Sequence, residues 1–278
     1  MKDKKKRNKI KYTLLIIVGL IVVTGLIHIV SMFTFDKWIE YKDVLFKSPK
    51  VSSELSGYRI AFITDTHAIS MEDLEGVVDE LNNREIDLLV LGGDFVPSST
   101  SVDDVLSKIS KIKTVDGIYG IEGNHDRKLK LFDDMERNSI TPLINNGCSV
   151  SKGLYVAGVR DFWRYEADIV KSVEDAKEDE FVLLLTHNAD VTMLQDTTGS
   201  DLILSGHSHG GQITLFGVFA PALSMKDDIT KCGQRFMSGW AKSRDNVPVY
   251  VSNGTGSFAS TPRVFARPQV IIFTLLSE

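Results

Sequence analysis

The chain has 278 residues, of which 43% are hydrophobic and 25% are charged, and its formal net charge is −5. This length allows one sizeable hydrophobic core or two small ones, and the composition is that of a folded globular protein. Acidic residues outnumber basic residues, so the composition does not indicate a basic surface, and no nucleic-acid partner is expected. The two cysteines, Cys148 and Cys232, match no metal-binding spacing and are expected to be free thiols.

The N-terminus has the pattern of a membrane signal anchor. Residues 2–11 carry seven Lys or Arg and one Asp, and an uncharged segment follows over residues 12–33. As a helix, this segment would be about 33 Å long, close to the roughly 30 Å core of a bilayer. No small-x-small cleavage site follows it, and four aromatic residues suit the membrane interface: Phe33, Phe35, Trp38 and Tyr41. The positive-inside rule predicts a single-pass cell-membrane protein with residues 1–11 in the cytoplasm and the remainder outside.

Residues 34–57 are predicted to link the anchor to a domain spanning residues 58–278. Within the linker, Lys37–Lys47 mixes apolar and charged positions and is a possible edge strand. Beyond it, strand-like runs alternate with amphipathic helices predicted over Met71–Arg84 and Ser101–Lys113. Strands with few helices between them dominate toward the C-terminus. The fold class is therefore predicted as α/β, a four-layer αββα sandwich of two mixed β-sheets with helices on the outer faces.

Five of the six histidines lie in short polar motifs that directly follow apolar runs. The runs with their motifs are YRIAFITDTH (Tyr58–His67), IDLLVLGGD (Ile86–Asp94), GIYGIEGNHD (Gly117–Asp126), FVLLLTHN (Phe181–Asn188) and DLILSGHSHGG (Asp201–Gly211). Because buried strands deliver the residues that follow them to one edge of a sheet, these Asp, Asn and His side chains are expected to gather there. Such a group of donors predicts a metal site.

In this order, the motifs D-x-H, G-D, G-N-H-D, a lone H and G-H-x-H resemble the calcineurin-like metallophosphoesterase family. The N-terminal anchor resembles a membrane-anchored bacterial branch of that family. The resemblance implies two metal ions bridged by Asp94. The first ion would be held by Asp65, His67, Asp94 and His209, and the second by Asp94, Asn124, His187 and His207. Nitrogen and oxygen donors without thiolates suit two divalent transition-metal ions, Mn, Fe or Zn, without choosing among them.

The resemblance also implies a mechanism, in which a metal-bridged hydroxide attacks phosphorus. His125 would protonate the leaving group, and Asp126 would orient the His125 ring. Each of these residues has a structural alternative, since Asp126 could cap a turn and His187 could be a strand-end histidine. Two further positions stay open: Asp161 either orients a ligand or is a loop acid, and Arg263 either binds phosphate or forms a surface salt bridge. Many members of the family have a polar or charged residue at the position of Pro97. A substrate contact by that residue therefore cannot be assumed for this chain.

The expected partner is a phosphoester substrate that is lipid-linked or part of the cell envelope. A UDP-2,3-diacylglucosamine-type pyrophosphate hydrolase of lipid A synthesis is an alternative, although that substrate arises on the cytoplasmic side. An amidohydrolase-type metal hydrolase and a catalytically silent binding module are further alternatives. Four aromatic side chains either line an approach for an acyl chain or pack in the core: Phe162, Trp163, Phe216 and Phe219. The sequence does not indicate an oligomeric state.

Overall fold

A computed structural model describes residues 2–34, 38–95, 101–126, 130–225, 229–258 and 261–278. Pro97, Phe35 and Lys37 lie outside these ranges, so the expectations for them are not addressed. Cys148 and Cys232 are free thiols.

The chain begins with a long helix, α1 (Lys2–Phe33). Its segment Lys4–Phe33 is long and apolar enough to cross a membrane by length and composition, and none of its most apolar stretch is buried against the remainder of the described chain. A core helix of a soluble protein would bury such side chains. The helix therefore has the dimensions of the predicted anchor.

The described residues form twelve strands in two sheets. The strands are β1 (Glu40–Ser48), β2 (Arg59–Ile63), β3 (Leu88–Leu91), β4 (Ile118–Gly120), β5 (Ile140–Pro142), β6 (Asn146–Ser149), β7 (Leu154–Gly158), β8 (Phe181–Leu185), β9 (Leu202–Ser205), β10 (Gly239–Lys242), β11 (Pro248–Val251) and β12 (Gln269–Ser277). The first sheet has the order β1-β12-β2-β3-β4-β5 and the second β10-β11-β9-β8-β7-β6. Both are mixed, because β12 runs antiparallel to β2, and β6 and β10 run antiparallel to their neighbours.

Five helices follow α1 in the described residues: α2 (Met71–Asn82), α3 (Val102–Ile109), α4 (Leu131–Arg137), α5 (Ile169–Val173) and α6 (Pro221–Met225). Ser70 caps α2, and Ser101 with Asp104 forms a capping box at the start of α3. Such side chains accept hydrogen bonds from amides that the first helical turn leaves unpaired. The α3 helix ends before the predicted Lys113, because the backbone there tightens into three-residue hydrogen bonds.

Three apolar clusters show how the layers pack. Between the sheets lie side chains from both of them, including Phe62, Leu183, Leu204 and Phe273. The outer face of the first sheet is covered by α2, α3 and α4, and that of the second by α5 and shorter segments. Burial of each large apolar side chain stabilises the fold by about 1.5–3 kcal/mol. The predicted αββα sandwich is confirmed.

The strand β1 belongs to the first sheet rather than to a free linker. It pairs in parallel with β12 along its whole length, from Glu40 opposite Gln269 to Ser48 opposite Ser277. An edge strand therefore lies at Glu40–Ser48, where Lys37–Lys47 was predicted to form one, in the same sheet as the first strand of the predicted domain. This pairing keeps the domain within a few residues of the end of α1.

Candidate metal centre

The polar motifs follow five strands that end at the same side of the molecule. The strands β2, β3 and β4 are parallel neighbours in the first sheet, and β8 and β9 are parallel neighbours in the second. Side-chain contacts of 2.9–3.2 Å join five of the seven predicted ligands, which are His67, Asp94, Asn124, His187 and His207. The other two, Asp65 and His209, are 3.4 Å apart, and the carboxylate of Asp65 lies within 4.8 Å of the ligand atoms of Asp94 and His187. Residues separated by up to 144 positions thus form a single cluster.

Asp94 lies at the centre of this cluster. Its Oδ2 atom is 3.2 Å from Nε2 of His67 and 3.2 Å from Nε2 of His187. Its Oδ1 atom accepts a 2.8 Å hydrogen bond from the backbone N–H of His125. One carboxylate oxygen therefore faces both predicted metal positions while the backbone fixes the other.

On one side of Asp94, the donor atoms of Asp65, His67 and His209 all lie within 4.8 Å of one another. The Nε2 atom of His209 is 3.4 Å from Oδ1 of Asp65, and the rings of His67 and His209 stack with centroids 5.1 Å apart. All three side chains are buried. They form the set that the resemblance assigns to the first ion.

On the other side, Oδ1 of Asn124 is 3.1 Å from Nε2 of His187 and 2.9 Å from Nδ1 of His207. The second ring nitrogen of His187 faces the carbonyl of Gly92 at 2.8 Å, and that of His207 faces the carbonyl of Ile229 at 2.7 Å. Since a carbonyl oxygen only accepts, each of these outer nitrogens carries the proton.

It follows that two acceptors face each other at this second position: the amide oxygen of Asn124 and Nδ1 of His207, whose lone pair is free. Acceptors in such proximity repel unless a cation lies among them. Histidine ligands of metals typically donate their other N–H to a carbonyl or carboxylate, as His187 and His207 do here. The residues present therefore fit a bound divalent ion.

The pKa values of the histidines shift in different directions across the cluster. Burial lowers the pKa of His207, and it lowers the pKa of His209 to about 3, so both rings are neutral, as metal ligands must be. Burial also opposes charge on His67 and His187, but the carboxylate of Asp94 outweighs it and raises the pKa of both. An ion bound between Asp94 and these rings would replace the proton.

Five of the seven predicted ligands have a backbone in the left-handed region: Asp65, His67, Asp94, His207 and His209, with φ between 23° and 69°. For residues other than glycine this conformation is uncommon, and strained backbones cluster at functional sites. Glycines allow the loops to approach one another, since a Cβ on Gly123 would collide with the Asp94 carboxylate and one on Gly206 with that of Asp65.

His125 differs from the ligands because its side chain is exposed. Its ring lies 5.3 Å from that of His67 and 5.3 Å from that of Phe258, measured between centroids, at the open side of the cluster. Partial burial lowers the pKa of His125. A phosphate anion bound beside the ring would raise that pKa again, because opposite charge favours the protonated form.

Asp126 makes different contacts from those expected. Its Oδ2 atom accepts hydrogen bonds from the backbone N–H groups of Asp94 and Gly123 at 2.7 and 2.9 Å, and Oδ1 accepts from that of Phe95 at 2.9 Å. These bonds use the carboxylate to join the second and third motif loops rather than to hold the His125 ring. Burial raises the pKa of Asp126 to about 7.

Two residues left open by the sequence are buried. Asp161 accepts a 3.1 Å hydrogen bond from the backbone N–H of Trp163, and burial raises its pKa to about 6. The side chain of Arg263 is almost completely buried. Its guanidinium donates to five backbone carbonyls, those of His209, Asn253, Gly254, Gly256 and Ala266. It thereby joins the loop of the last ligand to the segment after β11.

The four aromatic residues also separate into two groups. Phe162 is partly buried and packs against the core behind the second sheet, and Trp163 is half-buried beside it. Phe216 and Phe219 are exposed, so core packing does not account for them.

Comparison with known proteins shows that a large part of this chain matches the model of one protein family. Residues 58–211 match the model described as calcineurin-like phosphoesterase, a range that includes every predicted ligand together with His125 and Asp126. An uncharacterized metallophosphoesterase of Helicobacter pylori is 27% identical over 82% of this chain and 62% of its own length. The phosphodiesterase YaeI of Escherichia coli is 25% identical over 79% of this chain and 82% of its own.

A third relative, a transmembrane protein with a metallophosphoesterase domain from Danio rerio, is 25% identical over 90% of this chain and 60% of its own length. This chain thus spans less than two thirds of the Helicobacter pylori and Danio rerio relatives.

Proposed function

Since this chain belongs to the calcineurin-like phosphoesterase family, whose members are metal-dependent hydrolases, we propose that it is a membrane-anchored phosphoester hydrolase with a binuclear centre. The observation that carries the proposal is the position of Asp94 Oδ2, 3.2 Å from a nitrogen of His67 and 3.2 Å from a nitrogen of His187. A carboxylate oxygen shared in this way suits a bridge between two ions.

The chain's residues divide into two ion-binding sets that share Asp94. The first is Asp65, His67, Asp94 and His209, and the second is Asp94, Asn124, His187 and His207. Two divalent ions bound there would supply Lewis acidity and an activated water as nucleophile. The donor set, nitrogen and oxygen without thiolate, suits Mn, Fe or Zn.

His125 is the group positioned to meet the substrate. Its ring is exposed at the open side of the cluster, while its backbone is fixed to Asp94. In the proposed reaction, the protonated ring donates its proton to the leaving oxygen as the phosphorus–oxygen bond breaks. Asp126 supports this arrangement indirectly, because it holds the loop that carries His125 against the loop that carries Asp94.

The proposed setting is the cell membrane, crossed once by α1, with residues 1–11 in the cytoplasm and the catalytic domain outside. The apolar composition of residues 12–33 and the basic residues at positions 2–11 support this orientation. A lipid or cell-envelope phosphoester is the proposed substrate, and the relative named a phosphodiesterase favours a diester. The cytoplasmic origin of UDP-2,3-diacylglucosamine disfavours that alternative. Family membership disfavours an amidohydrolase, and the complete ligand set disfavours a silent binding module.

The proposal is tested with the full chain purified in detergent. Metal content is measured by mass spectrometry, and hydrolysis of bis-p-nitrophenyl phosphate, p-nitrophenyl phosphate and an anilide is followed with Mn²⁺, Fe²⁺ or Zn²⁺. We expect two ions per chain and hydrolysis of the diester that a chelator abolishes. A folded protein without bound ions, or one that cleaves only the anilide, would disprove the assignment. Protease accessibility in intact cells separately tests the side of the membrane.

A further inference from the structure

An apolar hairpin, residues 212–219, follows the last predicted ligand. The chain carries no charged side chain from residue 210 to residue 225. The backbone N–H of Leu215 donates to the carbonyl of Phe219 at 2.8 Å, and that of Val218 donates to the carbonyl of Leu215 at 3.1 Å. Phe216 and Gly217 at its tip have φ of 54° and 73°, the pattern of a tight type I′ turn. The segment is therefore an ordered turn rather than an irregular loop.

This apolar hairpin directs its side chains outward. Exposed apolar residues in and beside it are Ile213, Leu215, Phe216, Val218, Phe219 and Met225. Thr214 anchors its base, because its hydroxyl donates to the carbonyl of Val264 at 3.0 Å and accepts from the N–H of Gly217 at 2.9 Å. A contiguous apolar surface of this kind marks an interaction site.

The hairpin lies against the C-terminal end of α1. The ring of His28 contacts those of Phe216 and Phe265 with centroids 4.7 and 5.0 Å apart. The backbone N–H of Phe265 faces Oγ of Ser31 at 3.4 Å, and Ser31 is buried by this contact. The hairpin is thus held at the level of residues 28–31 of the helix.

The position of His28 along α1 determines how deep in the membrane this contact would lie. His28 lies five residues before the end of α1 at Phe33, which corresponds to about 7.5 Å along the helix axis. Apolar elements that lie in a membrane interface are buried to about 5–10 Å. If residues 12–33 span the bilayer, the tip of the hairpin is below the membrane surface.

We propose that the apolar hairpin inserts into the leaflet on the domain's side of the membrane and forms a second contact with lipid. The inference rests on the proposed membrane anchor. Its occupant is the bilayer rather than another protein, because the helix in contact with the hairpin is itself a membrane span and because the surface has no charges to match. The hairpin begins three residues after His209, so insertion brings the metal centre close to the lipid headgroups. Phosphoesters at the membrane surface are the substrates that this position favours.

The test uses the full chain in vesicles of ordinary or brominated phosphatidylcholine, since bromine quenches tryptophan fluorescence only on contact. Val218→Trp is compared with Val115→Trp, because both valines are 76% exposed and Val115 lies in the turn before β4. Ile21→Trp reports the anchor itself. The unmodified chain, with Trp38, Trp163 and Trp240, supplies the baseline, and metal content confirms that each variant is folded.

We expect bromine to quench the added fluorescence of Val218→Trp and Ile21→Trp, and to leave that of Val115→Trp unchanged. Quenching at position 21 without quenching at position 218 would overturn the inference and leave the anchor intact. That outcome would also result if another protein covered the hairpin. Absence of quenching at position 21 would disprove the anchor and the inference together, whereas hydrolysis of a soluble diester tests the catalytic proposal independently.

Discussion

The backbone N–H of His125 donates a 2.8 Å hydrogen bond to Oδ1 of Asp94. This bond fixes the proposed bridging carboxylate and leaves its Oδ2 atom directed at both predicted ion positions. It also fixes the distance between the proposed acid and the ions, because the same residue supplies the amide and the ring. The backbone that carries the proposed acid and the proposed bridge are therefore held together directly.

Replacing Asp94 with Asn should abolish binding of both ions. The amide is neutral and cannot bridge two cations, so His67 and His187 lose their shared anionic partner. Metal content measured by mass spectrometry and diester hydrolysis should fall together. Asp79→Asn, at an exposed position of α2, is the matched control and should keep both. An Asp94→Asn enzyme that is active with two ions would contradict the bridging assignment.

Replacing His125 with Ala should lower kcat without loss of metal. The exposed ring is not among the proposed ligands, and a general acid typically contributes about 10²–10⁴-fold. The loss should be large for an alkyl phosphodiester and small for a p-nitrophenyl ester, whose leaving group needs no proton. Equal losses on both substrates would show that the ring acts in another way, such as binding the phosphate.

Replacing Asp126 with Asn separates positioning from ring orientation. The amide places an NH2 group against backbone donors that the carboxylate accepts, so the two motif loops should separate. Loss of a supporting interaction of this kind typically lowers metal affinity by about 10–100-fold. The dependence of kcat on the leaving group should remain that of the unmodified enzyme. Asp201→Asn is the control, because Asp201 accepts a backbone N–H at the opposite end of a strand. A variant that behaves like His125→Ala with full metal content would restore the ring-orienting role.

Gly123→Ala should damage the centre through sterics alone. A Cβ at Gly123 would collide with the Asp94 carboxylate, which is held by backbone hydrogen bonds and cannot move freely. Ion binding and the melting temperature should both fall. Gly76→Ala, in α2 with open space around the new methyl group, should be neutral or stabilising by up to about 1 kcal/mol. Normal ion binding by Gly123→Ala would show that the loops are not closely packed.

The clustering of the proposed ligands at one edge could be predicted from sequence because its signal is local. Each motif follows an apolar run, and a parallel strand delivers the residues after it to a known edge of its sheet. The pairing of β1 with β12 has no such signal, since it joins segments more than 200 residues apart. The fold class follows from alternating patterns, but the exact start of the domain does not.

The roles of Asp126 and Arg263 could not be predicted for a different reason. Adjacency to His125 suggested a contact with its ring, but the turn directs the Asp126 carboxylate back to backbone amides. Arginine is rarely buried, so Arg263 suggested a surface or phosphate contact. Its buried guanidinium is satisfied by five carbonyls that the fold brings together. The pattern of polar and apolar residues in a sequence does not indicate which side chains form hydrogen bonds to the backbone.

The ligand-bearing strands are divided between the two halves of the sandwich: β2, β3 and β4 on one side, β8 and β9 on the other. Ions bound by residues from both sheets would link the two sheets to each other. A ligand present at 100 times its dissociation constant stabilises the folded state by about 2.7 kcal/mol. Scarcity of transition metals would thus lower the stability of the folded protein as well as its activity. The supply of these ions would therefore determine the amount of folded enzyme.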